Sequence, residues 1–156
     1  MEIEIFGLEQ INRAEQTILS RTITRVLEGA ELKDYAINIS LVDTKTMKDL
    51  NFRFKNKNKP TDVLSFPLPE MEQSFEHTKG ILGDVVICLP KAESQAEEFG
   101  HSLEEEVAVL VAHGLFHLLG YDHEVSDEEA NIQMQGEMYL LDRAGFSPQL
   151  SLIGRC

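Results

Sequence analysis

A helix that must be buried on most of its sides is the feature that most constrains how this chain can fold. Ser102 and Glu105 form an S-x-x-E capping box, a pattern that predicts the start of a helix. From Val107 to Leu119 the residues are apolar apart from two histidines and one glycine. A helix without a polar face cannot lie on the surface, so the rest of the chain must pack around it.

Three histidines at the end of this helix have the spacing of a catalytic zinc site. His113 and His117 are four residues apart, which places them on one helix face roughly 6 Å apart along the axis. Gly120 permits the turn that would bring His123 back toward them. Three protein ligands leave the fourth tetrahedral position open for water, whose pKa catalytic zinc lowers to about 7. The spacing therefore predicts one zinc ion.

The three histidines have two other interpretations, as hydrogen-bonded core residues or as the zinc ligands of a peptidase. Histidines in an apolar helix are more often hydrogen-bonded core residues than ligands. With five histidines in 156 residues, however, this triple spacing arises by chance in about half a percent of cases. The spacing also matches the H-E-x-x-H-x-x-G-x-x-H pattern of metzincin peptidases, but Gly114 stands where those enzymes carry the glutamate that acts as general base. A metallopeptidase is therefore a less favoured alternative.

The charge of the chain is unevenly distributed. The net charge of −13 argues against a general nucleic-acid binder, and we expect no DNA binding. Arg53, Lys55, Lys57 and Lys59 nevertheless place four basic residues within seven positions. In an extended segment this spacing would direct all four side chains to one side. The run is then either an ordinary solvated loop or a local edge that holds phosphates.

Length and cysteine content indicate one cytoplasmic domain. A chain of 156 residues is of the size expected for a single domain, which we place at residues 1–156. Cys88 and Cys156 are the only cysteines, so neither a disulfide framework nor a cysteine zinc site is indicated. The N-terminal stretch is acidic and no apolar run approaches the ~18 residues of a membrane span. We expect a cytoplasmic protein with no membrane partner.

Apolar periodicity and turn signals predict the order of strands and helices. The expected strands are residues 2–6, 36–42, 62–66 and 84–89, and the expected helices are residues 11–28, 44–54, 90–100, 102–119 and 126–143. Ser126 and Glu129 make a second capping box, and residues 69–80, with His77, read as an exposed loop. The pattern predicts an α+β domain with a small mixed β-sheet, packed helices, and a metal site at the end of a buried helix.

Several motifs in this chain resemble the YbeY family of rRNA maturation endoribonucleases. They are HGLFHLLGYDH at 113–123, PTDVLSFP at 60–67 after LNFRF at 50–54, and GDVVICLP at 83–90. The resemblance implies that His113, His117 and His123 bind zinc at the base of a cleft in a compact sheet-and-helix domain. It also implies cleavage of single-stranded RNA in 16S rRNA 3′-end maturation and ribosome quality control, with rRNA and the small ribosomal subunit as partners.

The chain departs from the family pattern at one functional position. Six residues before Thr61 the family carries an important arginine, whereas this chain has Lys55, with Arg53 two positions earlier. Lysine neutralises a phosphate but cannot bind two of its oxygens as a fork. Either residue can serve, so Lys55, Arg53 and His113 are the candidate catalytic residues.

Other polar residues near the motifs have two interpretations each. Asp122 and Glu124 flank His123 and either orient a ligand ring or transfer a proton, or are plain surface residues. A second group either lines the cleft or caps strand ends, and it comprises Asp62, Ser65 and Asp84. An alternative function that involves no catalysis is that of a ribosome-assembly factor with a structural metal.

Overall fold

Four strands form one mixed sheet. The structure, a computed structural model, describes residues 1–68 and 80–152. The strands are β1 (Glu2–Phe6), β2 (Ala36–Val42), β3 (Val63–Pro67) and β4 (Ile81–Cys88). Their spatial order is β1-β2-β4-β3, with β2 parallel to both β1 and β4 and β3 antiparallel to β4. Among the described residues β3 is therefore an edge strand, so its outer side can border a cleft.

Over the described ranges of the chain, five α-helices pack with the sheet, which confirms the predicted α+β class and mixed sheet. They are α1 (Arg13–Glu28), α2 (Thr44–Lys55), α3 (Leu89–Phe99), α4 (Leu103–Leu118) and α5 (Asp127–Arg143), and short 3-10 helices lie at Leu8–Gln10 and Pro148–Leu150. Within residues 1–68 and 80–152, no helix combines the length and the apolar character needed to cross a membrane.

The predicted buried helix is α4, which lies at the centre of the domain. It packs against α1, α3 and α5 and against strands β3 and β4. Each residue from Val107 to Ala112 is 0% exposed. Burial of a valine or leucine side chain of this kind stabilises the fold by about 2 kcal/mol. The apolar run is therefore what binds the helices to the sheet.

The two faces of the sheet bury separate clusters. Along β4 the side chains alternate, so that Val85 and Ile87 join the large cluster around α4 whereas Val86 and Cys88 join a smaller one under α2. Both faces of β4 are thus covered, which accounts for its almost continuous apolar sequence. Cys88 is a buried free thiol.

Both ends of α4 are closed by hydrogen bonds that the sequence predicted. Ser102 Oγ accepts from the backbone N–H of Glu105 at 3.1 Å, and Glu105 Oε1 accepts from the N–H of Ser102 at 2.9 Å. At the other end Gly120 has φ +97°. Its N–H donates to His117 O at 3.1 Å, and the N–H of Tyr121 donates to Phe116 O at 3.0 Å. This paired C-terminal bonding is a Schellman motif, and it redirects the chain toward His123.

Three expectations fall outside the described residues. The predicted exposed loop at 69–80 lies outside them except for Gly80, and His77 and Cys156 lie outside them altogether.

Candidate metal centre

The C-terminal half of α4 carries two of the three histidines along the sheet. Gly114, between them in sequence, lies so close to β4 that an added Cβ would be 2.6 Å from Val85 Cγ1. Ser65 Oγ of β3 donates to the carbonyl of Gly114 at 3.3 Å. A side chain at position 114 would therefore meet the sheet, which explains why this position holds glycine rather than the glutamate of the peptidases.

The three histidines converge at the C-terminal end of α4. His113 Nε2 and His117 Nε2 are 3.0 Å apart. The ring centroid of His123 is 5.2 Å from that of His113 and 5.5 Å from that of His117. One ligand atom from each of the three residues lies within 4.8 Å of the others. This group of nitrogens could hold a metal ion.

A buried carboxylate from α5 orients the most deeply buried of these rings. His113 is 5% exposed, and its Nδ1–H donates to Glu137 Oε2 at 2.8 Å. Glu137 Oε1 accepts from Ser151 Oγ at 2.9 Å and from the N–H of Leu152 at 3.1 Å, and Gln133 Nε2 donates to Oε2 at 3.2 Å. Because a carboxylate only accepts, the proton of His113 lies on Nδ1 and its Nε2 presents a lone pair to the other histidines.

The electrostatic surroundings keep His117 neutral. Burial lowers the pKa of His117 below its ordinary value of 6.5, and the neighbouring His113 and His123 lower it further. Asp122 and Glu137 act in the opposite direction but are weaker influences. A neutral imidazole is the form that binds a metal. His123 Nδ1 is buried and has no hydrogen-bond partner within the part of the chain that the structure describes. Both features fit a metal ion.

The loop that carries His123 is tied to the start of α5. Ser126 caps α5 by accepting from the N–H of Glu129 at 3.1 Å, as predicted. The carboxylate of Glu129 does not complete the expected capping box, because its Oε1 accepts from the N–H of Asp122 at 3.2 Å. Asp122 Oδ1 in turn accepts from the N–H of Glu124 at 2.9 Å. Glu129 thus positions the loop around His123 rather than the helix end alone.

A cleft of about 570 Å³ lies above the histidines and borders the edge strand β3. The residues from the lysine-rich segment that line it are Asn51, Lys55, Lys57, Lys59 and Thr61, and those from the histidine side include His113, His117, His123, Asp122 and Glu124. Cationic and imidazole side chains therefore share one cavity.

Arg53 is not among the described residues that line the cleft. Arg53 and Lys55 both belong to α2, and residues two positions apart on a helix point about 200° from one another. The interpretation of the basic run as one extended edge is therefore wrong for these two residues. The helix ends at Asn56, which has φ +56°. Only Lys57 and Lys59, which follow it, can belong to an extended basic edge.

Asp62, Ser65 and Asp84 were expected either to line the cleft or to cap strand ends. Of these, Ser65 is among the described residues that line the cleft, and Asp62 and Asp84 are not. Asp62 instead joins a partly buried cluster around the buried Glu106, since Gln95 Nε2 donates both to Asp62 Oδ2 at 3.2 Å and to Glu106 Oε2 at 2.7 Å. His101 Nε2 donates to Glu106 Oε1 at 2.6 Å. This cluster lies at the opposite end of α4 from the three histidines.

Sequence reasoning missed Glu137 and Gln133. A signal was present, because these two residues are four apart on α5 and continue the helix face that buries Leu140 and Leu141. Polar residues on the apolar face of an amphipathic helix need a buried partner. The segment that holds Ser151 carried no such signal.

Comparison with known proteins identifies the family. The family model described as Endoribonuclease YbeY matches residues 6–144, most of the chain. The chain belongs to the YbeY family. The matched span contains the three histidines, the lysine-rich segment and Glu137. The resemblance that the motifs indicated is thereby confirmed.

Individual YbeY relatives cover most of the chain as well. Endoribonuclease YbeY of Persephonella marina is 43% identical over 131 residues, which cover 83% of this chain and 84% of that protein. The Aquifex aeolicus protein of the same name is 44% identical over 117 residues, 75% of each chain. The solution structure of TM1509 from Thermotoga maritima matches with a TM-score of 0.62 and 30% identity, covering 92% of this chain and 89% of that one.

Proposed function

We propose that this chain is a zinc-dependent endoribonuclease that cuts single-stranded RNA. It would act in the cytoplasm on the small ribosomal subunit, in 16S rRNA 3′-end maturation and ribosome quality control, with residues 1–156 as one catalytic domain. One observation carries the proposal: three converging imidazoles and three lysines line the same cleft. Membership of the YbeY family agrees with this reaction class.

The set of histidine ligands favours a catalytic rather than a structural metal. Structural zinc sites are closed by four protein ligands, whereas catalytic ones keep a position open. Within residues 1–68 and 80–152 the converging group consists of His113, His117 and His123. Zinc bound there would supply Lewis acidity toward a phosphoryl oxygen or an attacking water. Glu137 contributes by holding the His113 ring with Nε2 directed inward.

The lysines would bind and position the RNA strand. Lys55 lines the cleft and is the better candidate for the family's arginine, because Arg53 lies outside the described lining. Its ammonium group can neutralise charge on a phosphate in the transition state. Lys57 and Lys59 line the same cavity and would hold neighbouring phosphates. Since residues 60–156 carry four basic and eighteen acidic residues, most of the remaining surface would repel RNA.

The experiment that tests the proposal combines a metal measurement with an RNA assay. The purified chain should contain about one zinc per molecule and cut single-stranded RNA while leaving duplex RNA intact. Lys55→Ala should slow cleavage about tenfold, since a charged hydrogen bond to phosphate is lost. Lys55→Arg should retain activity, and Lys91→Ala, an exposed lysine of α3 outside the cleft, serves as the matched control.

Other outcomes would support the alternative functions. Cleavage of casein but not of RNA would favour the metallopeptidase, against the packing of Gly114 on β4. A fourth protein ligand on the zinc, together with no cleavage of RNA, would favour the non-catalytic assembly factor.

A further inference from the structure

Phe54 is a large apolar side chain that the fold leaves in solvent beside the cleft. It lies in the last turn of α2, directly before Lys55, which lines the cavity. The side chain is 61% exposed, the largest value for an aromatic residue within 1–68 and 80–152. A large exposed apolar surface next to a charged cavity is a candidate contact for a ligand that is partly apolar.

The ring is held in place by the edge strand of the sheet. Phe54 packs edge-on against Phe66, with ring centroids 5.2 Å apart and an interplanar angle of 67°. Phe66 belongs to β3 and points to the same face of the sheet as Leu64, which lines the cleft. Neither ring is among the described residues that line the cleft, so the exposed part of the Phe54 ring lies beside the cavity, next to Lys55, rather than inside it. Pairs of this geometry restrict ring motion and so reduce the entropy lost when a ligand binds.

Single-stranded nucleic acids present the chemistry that such a border fits. Proteins bind single strands with a basic groove for the phosphates and aromatic rings on which bases stack. Lys55, Lys57 and Lys59 supply the basic component here. We propose that Phe54 is the stacking platform for one base of the bound RNA strand, a role that rests on the proposed function. Stacking of this kind would select unpaired bases, because a base within a duplex is already stacked on both faces.

Phe52 provides a control that the chain itself supplies. It lies on the same helix and is 53% exposed, nearly as much as Phe54. Two positions along a helix correspond to a rotation of about 200°, so Phe52 points away from the side on which Phe54 lies. Phe52 and Phe54 are therefore similar in exposure and lie in the same part of α2, but they differ in direction, and Phe54 is the one that packs on Phe66 of β3.

The test measures kcat and KM on an unstructured RNA of roughly 12 nucleotides with the zinc-loaded, full-length chain. Phe54→Ala should raise KM by about 5- to 100-fold, the range expected for loss of one stacked base. The value of kcat should change by less than about twofold, because the ring binds away from the reacting phosphate. Phe54→Trp should restore KM, and Phe52→Ala should leave it unchanged. Thermal unfolding of each variant checks that the fold is intact.

Binding of an abasic strand isolates the base contact. An abasic strand of equal length and charge should bind wild type and Phe54→Ala equally, as measured by fluorescence anisotropy. Equal losses on the normal and abasic strands, or normal binding by Phe54→Leu, would overturn the inference, since the ring would then act by packing alone. If wild type cuts RNA and Phe54→Ala has the same KM, the inference fails while the proposed function stands. A wild-type chain that neither binds nor cuts RNA overturns both.

Discussion

Two histidine–carboxylate pairs lie at opposite ends of α4, and only one of them faces the cleft. At the C-terminal end His113 Nδ1 is 2.8 Å from Glu137 Oε2, and at the N-terminal end His101 Nε2 is 2.6 Å from Glu106 Oε1. The histidine side chains are 7% and 8% exposed and both carboxylates are 0% exposed. Chemistry and burial are thus nearly the same in the two pairs.

The difference lies in what surrounds each pair. His113 directs its second nitrogen toward two further imidazoles, whereas the carboxylate of Glu106 is shared with the amide of Gln95. The first arrangement gathers lone pairs at one point, as a metal site requires, and the second joins α3 and α4 through hydrogen bonds. A buried histidine–carboxylate pair therefore does not identify a catalytic site until the neighbouring donors are known.

The largest difference between the two ends is expected on removal of a histidine. His117→Ala should abolish zinc binding and slow RNA cleavage by more than about 100-fold, since loss of a ligand exceeds the 10–100-fold cost of losing an outer partner. His101→Ala should leave both properties unchanged and lower only stability. Metal content per chain and single-turnover cleavage measure the effects. Zinc retained by His117→Ala at full stoichiometry would mean that the three imidazoles are not the site.

Exchange of each carboxylate for its amide separates the pairs more finely. Glu137→Gln should weaken zinc binding by about 10- to 100-fold, because an amide holds the His113 ring and its proton less firmly than a carboxylate. Glu106→Gln is the matched change at the other end of α4 and should leave zinc affinity unaltered. Competition with a zinc-chelating dye measures both. Equal weakening in the two variants would indicate a general loss of folding rather than a role in ligand orientation.

Two glycines with positive φ, one at each end of α4, allow the two ends of the helix to be compared with the same substitution. Gly100 and Gly120 flank α4 with φ +72° and +97°, and an added Cβ meets nothing within 4 Å at either position. Alanine at either site should lower the free energy of unfolding by about 1–2 kcal/mol, because L residues disfavour positive φ. Urea unfolding of the metal-free chain tests this. Only Gly120→Ala should also weaken zinc binding, since Gly120 lies in the turn that leads from α4 to His123, whereas Gly100 lies at the other end of the helix.

The smallest expected effect comes from the helix caps. Ser102→Ala removes the cap of α4 beside His101, and Ser126→Ala removes the cap of α5 after the His123 loop. Each should lower the free energy of unfolding by about 1 kcal/mol. Urea unfolding measures both, and neither variant should change the chain's zinc content. A change in zinc content for Ser126→Ala would contradict this expectation and show that the Ser126 cap, and not Glu129 alone, positions the ligand loop.

The order of the elements could be predicted because it depends on local patterns. Alternating and helical periodicity located the four strands and five α-helices of the described part of the chain, and the capping box at Ser102 and the turn at Gly120 formed as expected. The basic run was misjudged where it was treated as extended, since Arg53 and Lys55 belong to a helix. The end of α2 alternates aromatic and basic residues (FRFK at 52–55), a pattern that also fits an extended strand. The predicted helix 44–54 already included Arg53, so the two expectations for this segment conflicted, and the structure decided for the helix.

By itself the sequence determined the α+β class, the buried helix and the three histidines that could share one ion, since all of these follow from spacing within short segments. Only the tertiary structure decided which lysines share the cleft with them and that Glu137 orients His113. It also decided that Asp62 and Glu106 belong to a separate, partly buried cluster. The reason is physical: contacts between residues far apart in the chain depend on how helices and strands pack, and no local periodicity encodes them.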